Sequence, residues 1–306
     1  VQTCALPIFW LLGAAPSDCP ESVRQFPDLL AVEAALNSKV ERPVLLLAPP
    51  EFSHGLDQRD WEVALPRLQG VLARLSSLQR VHWWIPESDH PEAEAWAAVA
   101  RCMARELGPQ AGGLLWGADL ADLLPRLEAI QPGEEWRSTA AGLERSQLAV
   151  VSVPSAGTAK TLLPPTSTTL ITGGLGALGL ATAEALQRLG ARHLTLVSRR
   201  APNDQQQQRI AALEQAGASV SCEQLDVSQA AEVEALFDGL KAAGRPLAGI
   251  IHAAGALDDG LLANQTPERC AAVAAAKAQG ALNLDRCSRT LPHNFFVSYS
   301  SLAAAI

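Results

Sequence analysis

Thr168-Thr169-Leu170-Ile171-Thr172-Gly173-Gly174-Leu175-Gly176-Ala177-Leu178-Gly179 runs straight into Leu180-Ala181-Thr182-Ala183-Glu184-Ala185-Leu186. The opening residues are β-branched or apolar and the closing ones are rich in Ala and Leu, so the stretch reads strand, glycine turn, helix. That order suits a dinucleotide. Gly173 makes the tight turn, Gly176 lets main-chain N–H groups approach a pyrophosphate, and Gly179 lets the helix pack close to the strand. The helix N-terminus then presents free N–H groups and the positive end of its dipole to the anion. Alone, Gly-x-x-Gly-x-x-Gly is a weak signal in a chain this rich in Gly and Ala, so its surroundings decide.

Those surroundings repeat the alternation. Strands are expected at 168–172, 193–197, 219–222, 247–252 and 295–299, with helices at 177–189, 204–216, 229–243 and 267–289 between them. Five strands separated by helices imply a doubly wound parallel sheet with right-handed crossovers. Upstream, buried strands are expected at 44–48, 81–85, 113–116 and 148–153, and helices at 61–75, 92–107 and 119–130. None of the upstream strand ends carries a glycine-rich phosphate turn. The fold class is therefore α/β with two Rossmann-like doubly wound subdomains, the first degenerate and the second binding the dinucleotide. The Pro-, Ser- and Thr-rich stretch 154–167 reads as a linker between a subdomain at 9–153 and another at 168–306.

Composition narrows the partners. The 306 residues carry a net charge of -8 and 48% apolar residues, with no basic block interleaved with aromatics, which argues against nucleic acid or an anionic membrane as partner. Six cysteines, at 4, 19, 102, 222, 270 and 287, include no CxxC and are joined by no His pair at ligand spacing. Neither a metal site nor a disulfide frame is indicated, and a reducing cytoplasm fits. Val1-Gln2-Thr3-Cys4-Ala5-Leu6-Pro7-Ile8 resembles a translated sequencing-library adapter and is set aside from fold reasoning. With Met103 as the single methionine, the chain reads as a fragment of a longer polypeptide, its second sheet cut off after the fifth strand.

Ser198-Arg199-Arg200 ends the second strand of the downstream half, about twenty residues past the glycine turn. An NAD site would place Asp or Glu there for the ribose hydroxyls, whereas Ser198 and Arg199 suit a 2'-phosphate and hence NADPH. Without the glycine turn Arg199 and Arg200 read as two solvated arginines at a strand end. Leu225-Asp226-Val227 follows the third strand, where the adenine edge should lie; Asp226 reads equally well as an N-cap-like loop acid. His252-Ala253-Ala254-Gly255 follows the fourth strand, with small residues where backbone must pass the nicotinamide ribose.

Together the Thr-Gly-Gly-x-Gly-x-Leu-Gly turn, Ser-Arg-Arg, Leu-Asp-Val and His-Ala-Ala-Gly resemble the ketoreductase (KR) domain of modular type I polyketide synthases, within the short-chain dehydrogenase/reductase superfamily. The resemblance is specific over 168–301 and looser over 21–153, which is placed like that family's structural subdomain. It implies Lys277 and Ser301 as two members of a Tyr, Ser, Lys and Asn set, with Lys277 preceding Ser301 by 24 residues. Taken by itself, Lys277 on an Ala-rich helix is a solvated face residue. Tyr299, the single tyrosine, stands two residues before Ser301, where the family's acid stands well after it, so Tyr299 reads as a strand residue. The family's Tyr and Asn are expected beyond Ile306, which would leave this fragment inactive and prone to aggregate at its uncovered edge strand.

The resemblance further implies reduction of a β-ketoacyl thioester on an acyl carrier protein, with NADPH as cofactor and neighbouring synthase domains in the same polypeptide. Leu257-Asp258-Asp259 resembles the B-type fingerprint, which gives the D-hydroxy product; otherwise it is a charged surface loop. A fatty acid synthase ketoreductase, another short-chain reductase, and a reductase-inactive structural domain of a megasynthase are the alternatives.

Overall fold

The computed structural model describes residues 9–12, 19, 21, 23–36, 44–48, 58–86, 91–117, 120–152 and 163–301. Two compact units divide them: one holds the described residues up to Val151 with 259–268, the other the described residues of 152–258 with 269–301. The adapter-like residues 1–8 and most of the expected linker, its residues 154–162, lie outside the described residues.

In the first unit the strands are β1 (Phe9–Leu12), β2 (Val23–Phe26), β3 (Val44–Leu47), β4 (Arg80–Ile85), β5 (Ala111–Trp116), β6 (Glu135–Thr139) and β7 (Gly142–Arg145), in spatial order β2-β1-β3-β4-β5-β6-β7. All neighbours are parallel except the β6–β7 hairpin. Helices α1 (Leu29–Leu36), α2 (Gln58–Leu72), α3 (Pro91–Leu107) and the short α4 (Leu120–Leu123) complete the layers. A strand covered on both faces is apolar throughout, and β3 is. Its Leu45 and Leu47 join one core with Trp83 and Trp96, while Val44 and Leu46 join another with Trp84 and Leu115.

A register shift between β4 and β5 leaves the N–H of Gly113 to the His82 side chain, whose Nδ1 accepts it at 3.0 Å. The ring is fully buried, and that burial, with a smaller push from Arg80, lowers its pKa to about 3.

Two upstream expectations change. Residues 148–152 are exposed and form no strand, because β7 before them is already an edge hairpin strand and no described strand pairs with them. The helix expected at 119–130 closes after Leu123 into a 3-10 turn, Leu124–Arg126, with Pro125 breaking the helical hydrogen bonds. The elements β1, β2, α1 and the β6–β7 hairpin are not among those expected from the sequence.

The second unit contains β8 (Thr168–Thr172), β9 (His193–Ser198), β10 (Ser219–Gln224), β11 (Leu247–His252) and β12 (Phe295–Ser298), all parallel, in the order β10-β9-β8-β11-β12. Helices α5 (Ala177–Arg188), α6 (Asp204–Gln215), α7 (Ala230–Ala242), α8 (Pro267–Ala274) and α9 (Gly280–Ser288) alternate with them, α8 being assigned to this unit from Arg269 onward. β8 and β11 are buried along their whole length, whereas edge strands β10 and β12 are largely open. Residues 259–268, expected in the second subdomain, belong to the first unit: Glu106 of α3 accepts the Leu262 N–H, and Gln69 of α2 donates to the Leu262 and Gln265 carbonyls.

His82 makes the first unit sensitive to acid. The unfolded ring protonates near pH 6.5 and the folded ring only near 3, so stability is intact above pH 6.5 and falls as pH drops below it. Between pH 7.5 and 5 the loss attributable to this group is about 2 kcal/mol. Urea unfolding of the wild type and of His82→Phe at both pH values checks this: the difference between the two proteins should shrink by that amount on acidification.

Candidate functional site

The order β10-β9-β8-β11-β12 reverses direction between β8 and β11, and the crevice outside the strand ends at that point is where open α/β sheets bind ligands. A cleft of about 330 Å³ lies there. Its walls come from the glycine turn after β8, the ends of β9, β10 and β11, and Ala276.

Gly173 has φ +64°, a conformation that side-chain-bearing residues rarely adopt, and a Cβ on it would sit 2.5 Å from the Ala253 carbonyl oxygen. A Cβ on Gly179 would strike the Gly173 carbonyl oxygen, so its role is to let the first turn of α5 close on the glycine loop. Gly174 donates to the Val197 carbonyl at 3.0 Å and ties that loop to β9. Gly176 is the N-cap of α5, and no side chain caps it. The N–H groups of exposed Ala177 and Leu178 are then available to an anion, as they would not be beneath a Ser or Asp cap. Thr172 and Leu175 are buried and support the turn from within.

Across the cleft stand Ser198, Arg199 and Arg200. Both guanidinium groups are exposed, and neither has a hydrogen-bond or ion-pair partner among the described residues. Asp226 lines the same cleft; one carboxylate oxygen accepts the Ser228 N–H at 2.9 Å and the other is unengaged among the described residues. Val227 is buried beside it. Ala253, Ala254 and Gly255 form the remaining wall, while His252 points inward and is buried. The fit to a phosphorylated dinucleotide rests on this set: a loop that a Cβ would fill, an uncapped helix start, and two unpaired cations.

The family model described as KR domain matches residues 167–306. These residues belong to the KR domain family. Polyketide synthase GfsB of Streptomyces halstedii is 36% identical over 233 residues, covering 70% of this chain and 4% of that protein. The spectinabilin polyketide synthase system protein NorA of Streptomyces orinoci is 30% identical over 302 residues, 90% of this chain and 15% of its own length. Among solved structures, A-type ketoreductases from a modular polyketide synthase give a TM-score of 0.77 at 24% identity, over 98% of this chain and 72% of that one. At that identity the likeness is one of fold. The chain spans only a small part of the curated relatives it matches.

Within the KR domain, Lys277 sits in a five-residue π turn, Ala275–Gln279, between α8 and α9, beside the cleft residue Ala276. Its Cε lies 3.2 Å from where a Cβ on Gly255 would be, and its ammonium has no ion-pair partner among the described residues. Ser301 is exposed, three residues past the end of β12. Tyr299 is turned elsewhere: its hydroxyl shares a 2.6 Å hydrogen bond with Thr182 of α5. Leu257, Asp258 and Asp259 are exposed, and Asp258 is clamped by the guanidinium of Arg269 at the start of α8, which holds its carboxyl below the ordinary range. Residue 259 itself belongs to the first unit.

Three supports escaped the sequence reading. Gln206, in a capping box with Asn203 that the Asn-x-x-Gln spacing could have shown, donates to the Leu175 carbonyl at 2.7 Å and braces the glycine turn. Buried Asn283 donates to the Val227 and Ser228 carbonyls, fixing the loop that carries Asp226. Arg269 is the third. Neither of the last two has a local signal, because each partner is remote in sequence or in an irregular loop.

The glycine loop can be tested by substitution. Gly179→Ala should abolish detectable nucleotide binding by fluorescence titration and lower the melting temperature. Gly239→Ala, in α7 with open space around it, should leave binding intact and stabilise by up to about 1 kcal/mol.

Proposed function

We propose that this KR domain, when intact, reduces a β-ketoacyl thioester, carried on an acyl carrier protein, to the β-hydroxyacyl thioester, with NADPH as reductant. The observation that carries the choice of NADPH is the pair of unpartnered guanidinium groups at the end of β9, where an NAD site would place a carboxylate. In this reading the start of α5 binds the pyrophosphate, Ser198 and Arg199 hold the 2'-phosphate, and Asp226 and Val227 flank the adenine. The backbone of Ala253 to Gly255 passes the nicotinamide ribose.

The cofactor, when bound, supplies the hydride. Lys277 holds the ribose hydroxyls and, as a cation, would lower the pKa of the proton-donating phenol of the family's tyrosine, a role that Tyr299 does not fill. Ser301 donates a hydrogen bond to the substrate carbonyl oxygen, favouring the charge that develops there. Leu257, Asp258 and Asp259 select the B-type, D-hydroxy product, and the Asp258–Arg269 clamp supports a fixed loop shape in that role. Domains of the same synthase polypeptide are the partners and the cytoplasm is the location; no described helix is long and apolar enough to cross a membrane.

Titration of the chain with NADPH and with NADH, wild type against Arg199→Ala, tests the assignment. Loss of a charge-assisted contact of about 1.5–3 kcal/mol should weaken NADPH by about 10- to 100-fold and NADH by much less. Equal weakening of both would reject the 2'-phosphate role.

A further inference from the structure

His252 makes two hydrogen bonds that bridge distant parts of the second unit. Its Nε2 lies 3.0 Å from the main-chain oxygen of Lys277, and its Nδ1 lies 2.7 Å from the Thr172 hydroxyl. A carbonyl oxygen can only accept, so Nε2 carries the proton. In a neutral imidazole Nδ1 is then bare, and the Thr172 hydroxyl donates to it. Burial, the dominant influence, lowers the ring's pKa against the opposing pull of the Lys277 and Ala276 carbonyls, which agrees with a neutral ring.

The helix is shaped to receive this bond. Over Ala275–Gln279 it widens to a π turn, in which carbonyls depart from their usual partners, and the Lys277 oxygen is met by the Gly280 N–H and by His252. Gly280 is buried, and a Cβ there would lie 2.8 Å from Val227 and 3.1 Å from the His252 ring, so a side chain would push the helix off the imidazole. Thr172 ends β8 immediately before the glycine turn, and the Ala253 N–H bonds to its carbonyl at 3.1 Å. The Lys277 side chain lies against Gly255, three residues after His252.

We infer that His252 is a positioning residue: its Nε2–H holds the π turn that sets where the Lys277 ammonium lies, and its Nδ1, through Thr172, locks that turn to the phosphate-binding strand. This rests on the role proposed above for Lys277. It replaces the expectation that His252 contacts the cofactor.

Two substitutions separate the bonds. Gln reaches as far as Nε2 and keeps the donor to Lys277; Asn reaches only as far as Nδ1 and keeps the acceptor for Thr172. In the full chain, ¹⁵N spectra of wild-type His252 without nucleotide should show a protonated Nε2 and a bare Nδ1. NADPH titration should then find His252→Gln close to wild type and His252→Asn weaker by about tenfold, the equivalent of one hydrogen bond. Melting temperatures will fall for both, so a purely structural role predicts equal affinities.

A protonated Nδ1, or equal NADPH affinity for the two variants, would overturn the inference. Wild-type chain that binds no nicotinamide nucleotide would instead defeat the proposed function, and the ¹⁵N result would still judge the hydrogen-bond assignment. The spectra need only the wild type, so a variant that fails to fold does not remove the test.

Discussion

The carbonyl oxygen of Gly173 is closely surrounded, and the cleft's glycine loop is arranged around it. It accepts the Gly176 N–H at 2.9 Å and occupies the space that any side chain at residue 179 would need. This closure turns the chain from the end of β8 into α5 through residues 173–176 and leaves the helix start without a side-chain cap. Gly174 carries the turn to β9, Gln206 carries it to α6, and the main chain of Ala253 abuts it from β11. A change at this carbonyl therefore reaches three strands and two helices.

Electrostatics in the cleft are local and oppose the chain's overall sign. The molecule is acidic, at -8, yet Arg199 and Arg200 stand unpaired at the cleft while other arginines, such as Arg101, Arg209 and Arg269, are committed to carboxylates. At about 8 Å screening in physiological salt, the distant acidic surface has little influence there. Unpaired cations that face an open cleft are available to an anion; paired ones serve the fold.

The second unit was largely legible in the sequence because its signals are local. Each strand is a short apolar or β-branched run, each helix is periodic, and the turn residues lie between them, so expected and observed boundaries differ by one or two residues. The first unit was harder. β6 is a half-exposed Glu-Trp-Arg-Ser-Thr run whose pairing comes from its position beside β5, and Arg101 anchors it from α3 through Glu135. The run Leu148-Ala149-Val150-Val151 has strand composition and no described strand to join, so it lies exposed. At the site, the residues that line the cleft could be read from motifs, while the ties that hold them, Thr172 to His252 to Lys277 and Asn283 to Val227, join positions 25 to 80 residues apart. No pattern within a short window encodes such pairs.

We propose one cleft, at the switch between β8 and β11, for a phosphorylated dinucleotide held by main-chain N–H groups and two free arginines. Mapping amide chemical-shift changes of the isotope-labelled chain on addition of NADPH tests it most directly. The largest changes should fall on Gly173 to Leu178, Ser198 to Arg200, Asp226 and Ala253 to Gly255. Changes centred elsewhere, or none at these amides at saturating nucleotide, would contradict it.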